Sequence, residues 1–426
     1  MKPFLIDNDK VYTYQDLLDA IQTDGFYYPY YKVHDVFLYF VNLVKALANN
    51  QSLVLLDSDL NSSEIENLNE SLVNQPRIIN TLSFSDISEV INAVKKSAAE
   101  ITIFTSGTTG QPKKVLHSIS SLTRSVRTGE RYANQIWGYA YAPTHMAGLQ
   151  VFFQAFENEN TLVNIFGRSR NEVYRCISNH HITHISATPT FYRLLLPFEK
   201  EYDTVIRATL GGEKSDEHLY NSMRCVFPNA KINNVDNTEF IAGDTEIVLD
   251  DLINNVYAST EAGSLFAAKG DCFQIPEAIR DKFRVEDDEL LIHKSLLGRS
   301  DSFKFEGDYY HSGDLIEWID KSMGLFKFKS RKNELINVGG YKVNPGEVEN
   351  VLLSIDGIQQ VLVYGKANSV LGNILCADIQ LEPNIALTEI DIKKILRSNL
   401  QDFKIPRRFR FVEAMTLTRT GKLKRQ

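Results

Sequence analysis

Cysteine is scarce in this chain: four in 426 residues, at Cys176, Cys225, Cys272 and Cys376. They lie far apart and form neither a metal-ligating spacing nor a disulfide framework, which points to a reducing, cytoplasmic setting. Long apolar runs are missing as well. No stretch is long and apolar enough to span a bilayer, and the start, Met1-Lys2-Pro3-Phe4-Leu5-Ile6-Asp7, has no apolar core of a signal peptide. Excess positive charge is also absent. A net charge of −8 and a pI of about 5.7 argue against nucleic acid or an anionic membrane surface as the main partner. What is present is globular: 43% hydrophobic and 23% charged residues, in a chain long enough for two or three domains.

The most informative stretch is Thr105-Ser106-Gly107-Thr108-Thr109-Gly110-Gln111-Pro112-Lys113-Lys114, directly after the alternating Ile101-Thr102-Ile103-Phe104. A strand feeding such a loop gathers backbone N–H groups, hydroxyls and lysines around one small volume, and polyphosphate suits that volume. It is not a Walker loop, because Pro112 stands where the second glycine is required, and it holds no Gly-x-Gly-x-x-Gly.

In chain order, residues 36–47 have helical spacing of apolar side chains, and Leu53-Val54-Leu55-Leu56 reads as a buried strand ending at Asp57. Asp86 and Glu89 suggest a capping box before a helix over 87–98. A strand over 136–143 leads to Thr144-His145-Met146-Ala147-Gly148, followed by Phe152, Phe153 and Phe156, which read either as core or as an apolar acyl pocket. His180, His181 and His184 are spaced as on a strand, where they alternate faces and make a poor metal site. A strand over 205–210 ends at Gly211-Gly212-Glu213. Ile232-Asn233-Asn234-Val235 recurs as Ile253-Asn254-Asn255-Val256, so 236–256 looks like an insertion. It holds six acids and no Lys or Arg, and reads as a hairpin serving as a surface excursion or a lid. Tyr257-Ala258-Ser259-Thr260-Glu261, Ser312-Gly313-Asp314 and Arg331 follow. The texture then becomes a compact αβ pattern ending in a basic tail with Gly421-Lys422.

These pieces, in this order, resemble the adenylate-forming superfamily of acyl- and aryl-CoA synthetases, adenylation domains and luciferases. The resemblance covers about residues 101–425. It implies an α/β fold: a large N-terminal adenylating domain of mixed layered sheets with helices (1–330) and a small mobile α+β C-terminal lid domain (331–426). It implies ATP and Mg²⁺ as cofactors, with coenzyme A or phosphopantetheine as acceptor. Thr105, Ser106, Gly107, Thr108, Thr109, Gly110 and Lys113 are expected to hold the β,γ-phosphates. Gly211, Gly212, Glu213 and Tyr257 are expected to frame adenine. Thr260 would contact phosphate and Glu261 would ligate Mg²⁺, while Asp314 would take the ribose hydroxyls and Arg331 would bind near ribose or phosphate. Lys422 would be the catalytic lysine. Gly339 and Gly340 would pass a pantetheine arm after the small domain rotates about Asn333.

His145 bears on the substrate. In amino-acid-activating relatives an Asp in this region holds the α-ammonium, whereas the segment 143–148 carries no carboxylate. An acid without an α-amine is therefore expected. The implied reaction makes an acyl-adenylate and then a thioester on coenzyme A or a carrier protein. An adenylation enzyme with another acceptor, and a non-catalytic nucleotide-binding relative, are the alternatives. Ser330 and Asn333 depart from the family's usual Gly and hinge Asp, Ser312 replaces a common Thr, and the chain before the loop is short.

Overall fold

The strand expected before the glycine-rich loop is Glu100–Thr105, and its alternation has a simple cause: Ile101 and Ile103 are fully buried in the core. The protein is described here from a computed structural model covering residues 2–58, 70–80, 82–105, 113–197, 200–211, 217–230, 254–269, 272–332, 334–338, 341–368, 372–383, 385–417 and 423. Glu100–Thr105 pairs antiparallel with Lys113–Ser118, in register Thr105 to Lys113, so the loop residues 106–112 join two strands of one hairpin. Leu53–Leu56 lies parallel on the other side, and Tyr30–Lys32 completes a four-stranded sheet. Because Leu53–Leu56 and Glu100–Thr105 run in the same direction, Asp57 and Thr105 leave the sheet at the same edge.

A second, 14-stranded sheet forms the body. Its middle is parallel: Arg207–Gly211, His184–Ala187, Ile136–Tyr139, Thr161–Asn164 and Pro3–Asp7. Helices cover it, as parallel strands require. Binding groups in such sheets gather at the carboxyl ends of the strands, which here puts the segments after Tyr139, Ala187 and Gly211 on one side. Beyond Gly211 the sheet continues through Asn254–Ser259 and antiparallel strands, among them Leu325–Arg331 and Tyr309–Asp320, to Phe283–Glu286 at its far edge.

Local signals set several boundaries. Ile87–Lys95 is capped by Asp86, which accepts from the Glu89 N–H at 3.0 Å, while the Glu89 carboxylate reaches back to the Ser85 N–H. The helix Val36–Ala48 is buried almost all round, and the Tyr39 hydroxyl donates to the Pro143 carbonyl at 2.7 Å. The expected strand over 136–143 stops at Tyr139. Tail residues aside, the C-terminal part has its own sheet: the hairpin Ile336–Val338 and Tyr341–Val343, then Ile358–Asn368, Gly372–Leu381 and Arg408–Phe411. The helices Pro345–Leu353 and Glu389–Asn399 pack on it, around a separate core that includes Val348, Leu352, Val363, Ile379 and Leu396. A large N-terminal domain and a small C-terminal domain are thus present. The insertion at 236–256 lies outside the described residues up to 253, and its last residues open the strand Asn254–Ser259.

Candidate active site

Register brings the dispersed motifs together. Gly211 pairs with Val256, so Tyr257 emerges beside the end of Arg207–Gly211. The Tyr257 hydroxyl donates to Asp314 Oδ2 at 2.6 Å, and Arg331 Nε donates to Asp314 Oδ1 at 2.9 Å. Asp314 is 4% exposed, and two donors face its carboxylate. Desolvation first, then the neighbouring Asp314, pushes the Tyr257 phenol far above its ordinary value, so it remains a donor. The turn carrying Asp314 is held in its own right. Gly313 takes φ +76°, its N–H donates to the buried Glu289 at 2.9 Å, and Lys332 donates to the same carboxylate at 3.1 Å. Glu289 was not singled out by the sequence. Its role as the anchor of both Gly313 and Lys332 depends on contacts more than 20 residues away.

The surroundings of two residues at this corner bear on their expected roles. Tyr257 was to frame adenine by stacking. Its ring is instead stacked on Phe266 and on Phe328, each at 4.9 Å, and it is only 8% exposed. It belongs to an aromatic core and offers little free face to a base. Asp314, expected to take the ribose hydroxyls, also accepts from Tyr257 and Arg331, and a carboxylate has further lone pairs to offer.

Thr260 and Glu261 form the turn between Asn254–Ser259 and Gly263–Lys269. Their carbonyls are fixed: Gly298 N–H donates to Glu261 O at 2.7 Å, and His117 Nε2 lies 2.8 Å from Thr260 O. The Glu261 carboxylate has no hydrogen bond or ion pair among the described residues. It sits close enough to Tyr310 to add to the effect of burial, which pushes that phenol up to about 12. Among the described residues no three acidic, His or Cys side chains cluster as a metal site. A carboxylate with no partner among the described residues is nonetheless the donor Mg²⁺ uses when phosphate oxygens and water complete its shell, so Glu261 fits the ion.

His145 is the N-cap of Met146–Phe156 but makes no capping hydrogen bond with its side chain. Its Nε2 is 3.4 Å from Asp57 Oδ2, and the Thr144 hydroxyl donates to Asp57 Oδ1. The segment 143–148 has no carboxylate of its own, but the fold delivers one from the four-stranded sheet. Gly148 permits this geometry: a Cβ there would come 2.3 Å from Ala142 O and 2.9 Å from the Tyr139 hydroxyl, so only glycine lets the helix start so close to the strand end.

The remaining sequence-predicted residues divide plainly. Lys113 is half-buried at the root of the hairpin, Thr105 ends its first strand, and Gly211 ends the adjacent parallel strand. Ser106, Gly107, Thr108, Thr109, Gly110, Gly212, Glu213, Gly339, Gly340 and Lys422 lie outside the described residues. The acyl-pocket reading of Phe152, Phe153 and Phe156 is overturned. All are 0% exposed, with Phe152 stacked on Phe40 at 4.6 Å and on Phe156 at 5.2 Å, so they are core. The three histidines do not share a strand. His180 ends the helix Arg170–His180, His181 is its left-handed cap at φ 49°, and His184 opens His184–Ala187 against Trp137. Hydrophobic spacing could not separate a helix end from a strand start over five residues.

Burial holds two imidazoles neutral, His117 down to about 4 and His184 down to about 3. Their unfolded-state value is 6.5, so the stability they contribute is whole above about pH 6.5 and is lost as pH falls toward those lower values. Thermal melts at pH 7.5 and pH 5 are expected to show a drop of several degrees, and His184→Gln should flatten that dependence.

Residues 40–276 match the profile of the AMP-binding enzyme, and residues 347–422 match the AMP-binding enzyme C-terminal domain. The chain belongs to the AMP-binding enzyme family. Among curated relatives of this AMP-binding chain, Bacitracin synthase 3 of Bacillus licheniformis is 26% identical over 352 residues, covering 76% of this chain and 5% of the relative. Long-chain-fatty-acid–CoA ligase FadD13 of Mycobacterium tuberculosis is 26% identical over 339 residues, covering 75% of this chain and 65% of the relative. The chain therefore spans less than two thirds of the length of either. O-succinylbenzoate coenzyme A synthetase (MenE) from Bacillus subtilis, solved with ATP and a magnesium ion, has the same fold at a TM-score of 0.69 and 17% identity, with 99% of this chain and 95% of that chain covered.

Proposed function

We propose that this AMP-binding enzyme activates a carboxylic acid without an α-amine, using ATP, and passes the acyl group to a pantetheine thiol. The observation that carries this reading is the convergence of Tyr257 and Arg331 on buried Asp314, next to a Thr260–Glu261 turn locked to the base of the glycine-rich hairpin. Membership of the family, and relatives that include CoA ligases, support it.

In the proposed reaction the acid's carboxylate oxygen attacks the α-phosphorus of ATP, and pyrophosphate leaves. Asp314, pre-oriented by two donors, takes the ribose hydroxyls with its remaining lone pairs. The hairpin from Thr105 to Lys113 and its loop hold the β,γ-phosphates, with Thr260 contacting phosphate. Glu261 would hold Mg²⁺, which when bound neutralises charge on the leaving pyrophosphate. Lys422 stabilises charge where the carboxylate meets the α-phosphate. His145, oriented by Asp57, stands at the acid end. We assign Tyr257 to holding Asp314, with its ring kept in the aromatic core. The division of the chain at 330/331 gives the second step its pivot. Lys332 is tied to Glu289 on the large domain, so rotation begins after it, at Asn333, and carries Gly339 and Gly340 toward the thiol. Coenzyme A or a carrier protein is the acceptor.

The test is product analysis. The full chain, ATP, Mg²⁺, coenzyme A and a panel of aryl, short-chain and long-chain acids should give AMP and an acyl-CoA by mass spectrometry. With a carrier protein as the true acceptor, AMP still forms and the acyl group appears on the carrier. ADP as the nucleotide product, or no ATP consumption with any acid, overturns the reading. Asp57→Ala should lower acid-dependent turnover about tenfold by freeing His145 from its orientation, with a small change in melting temperature.

A further inference from the structure

One buried polar side chain links the glycine-rich hairpin to the Thr260–Glu261 turn, and no motif includes it. His117 lies on Lys113–Ser118, the return strand of the hairpin, and is fully buried. Its Nε2 is 2.8 Å from the Thr260 carbonyl and its Nδ1 is 3.0 Å from Ser121 Oγ. A carbonyl only accepts, so Nε2 carries the proton and Nδ1 accepts from the serine hydroxyl. The imidazole is also wedged from outside. A Cβ on Gly298 would come 2.6 Å from His117 Cε1, and Gly298 itself donates to the Glu261 carbonyl. Leu116 and Arg299 exchange two backbone hydrogen bonds of 2.8 Å beside it.

These contacts close a ring. The hairpin strand holds Arg299 and His117, Gly298 holds Glu261 O, and His117 holds Thr260 O. The return strand Lys113–Ser118 and the backbone of the Thr260–Glu261 turn are therefore held at a set spacing, and His117 is the side chain in that link. Both imidazole nitrogens of the buried His117 face protein partners, Thr260 O and Ser121 Oγ.

We propose that His117 is a positioning residue of the metal–triphosphate site: its hydrogen bond to Thr260 sets where Glu261 stands relative to the phosphate-holding hairpin. This rests on the reading of Glu261 as the Mg²⁺ ligand given above. The requirement is for a neutral donor of imidazole length at this point, which a glutamine amide can approximate and a leucine cannot.

The experiment measures ATP binding to the full chain by calorimetry, once with Mg²⁺ and once with EDTA, so no turnover is needed. In the wild type, Mg²⁺ is expected to tighten ATP binding. His117→Leu should reduce that Mg²⁺-dependent gain about tenfold, as loss of a supporting contact to a ligand does, while the affinity in EDTA changes little. His117→Gln should retain most of the gain, and Glu261→Gln should lose it. If His117→Leu keeps the full gain while Glu261→Gln loses it, the inference is overturned. It is equally overturned if His117→Gln loses as much as His117→Leu. If Glu261→Gln keeps the gain, the metal-ligand reading itself fails. Should His117→Leu not fold, Ser121→Ala preserves the imidazole but removes the donor to Nδ1. It should reduce the gain in the same direction, and an unchanged gain there overturns the inference.

Discussion

Lys422→Ala is expected to lower acid-dependent ATP–pyrophosphate exchange by about a thousandfold, the scale of removing a group aimed at developing charge. Thioester formation from a pre-made acyl-adenylate should survive nearly unchanged, because the proposed second step uses the hinge and Gly339–Gly340 and not this lysine. Exchange assays and single-turnover reactions with synthetic adenylate separate the two. Equal loss in both steps would contradict the division of labour between two domain orientations.

Asp314→Ala is the second large effect, and it should split affinity from stability. The carboxylate is buried and accepts from both Tyr257 and Arg331. Its removal strands the buried Tyr257 hydroxyl, a cost of about 2 kcal/mol. The Arg331 side chain is 53% exposed and can turn to water, so the lost ion pair adds little. The loss of ATP affinity should be larger, about a hundredfold, because the ribose acceptor and its orienting contacts vanish together. Melting curves and calorimetry with ATP check both parts. Tyr257→Phe is expected to keep the ring stack and weaken ATP binding about tenfold through the lost hydrogen bond alone.

What could be read from the sequence was mostly local or ordered along the chain. The alternation Ile101–Phe104, the cap at Asp86, and the compact αβ texture after Arg331 each depend on neighbouring residues, and each is present. The order of motifs identified the family because each motif is short and its residues are contiguous. What was hidden is long-range. Asp57 and His145 are 88 residues apart and His117 and Thr260 are 143 apart, and neither pair leaves a local pattern. The phenylalanines at 152, 153 and 156 have one spectrum of hydrophobicity whether they line a pocket or fill a core, and only their full burial, with Phe152 stacked on Phe40, decides. The packing of Tyr257 is hidden for a related reason. The motif fixes its position in the chain, but Phe266 and Phe328, which cover it, come from other strands.

The most direct test of the central claim is ATP–pyrophosphate exchange by the full chain with Mg²⁺, over aryl, short-chain and long-chain acids. The account predicts exchange with at least one acid, none without acid, and none with Lys422→Ala. Absence of exchange with every acid, while the protein still binds ATP, would contradict it and leave a nucleotide-binding protein that does not form adenylates.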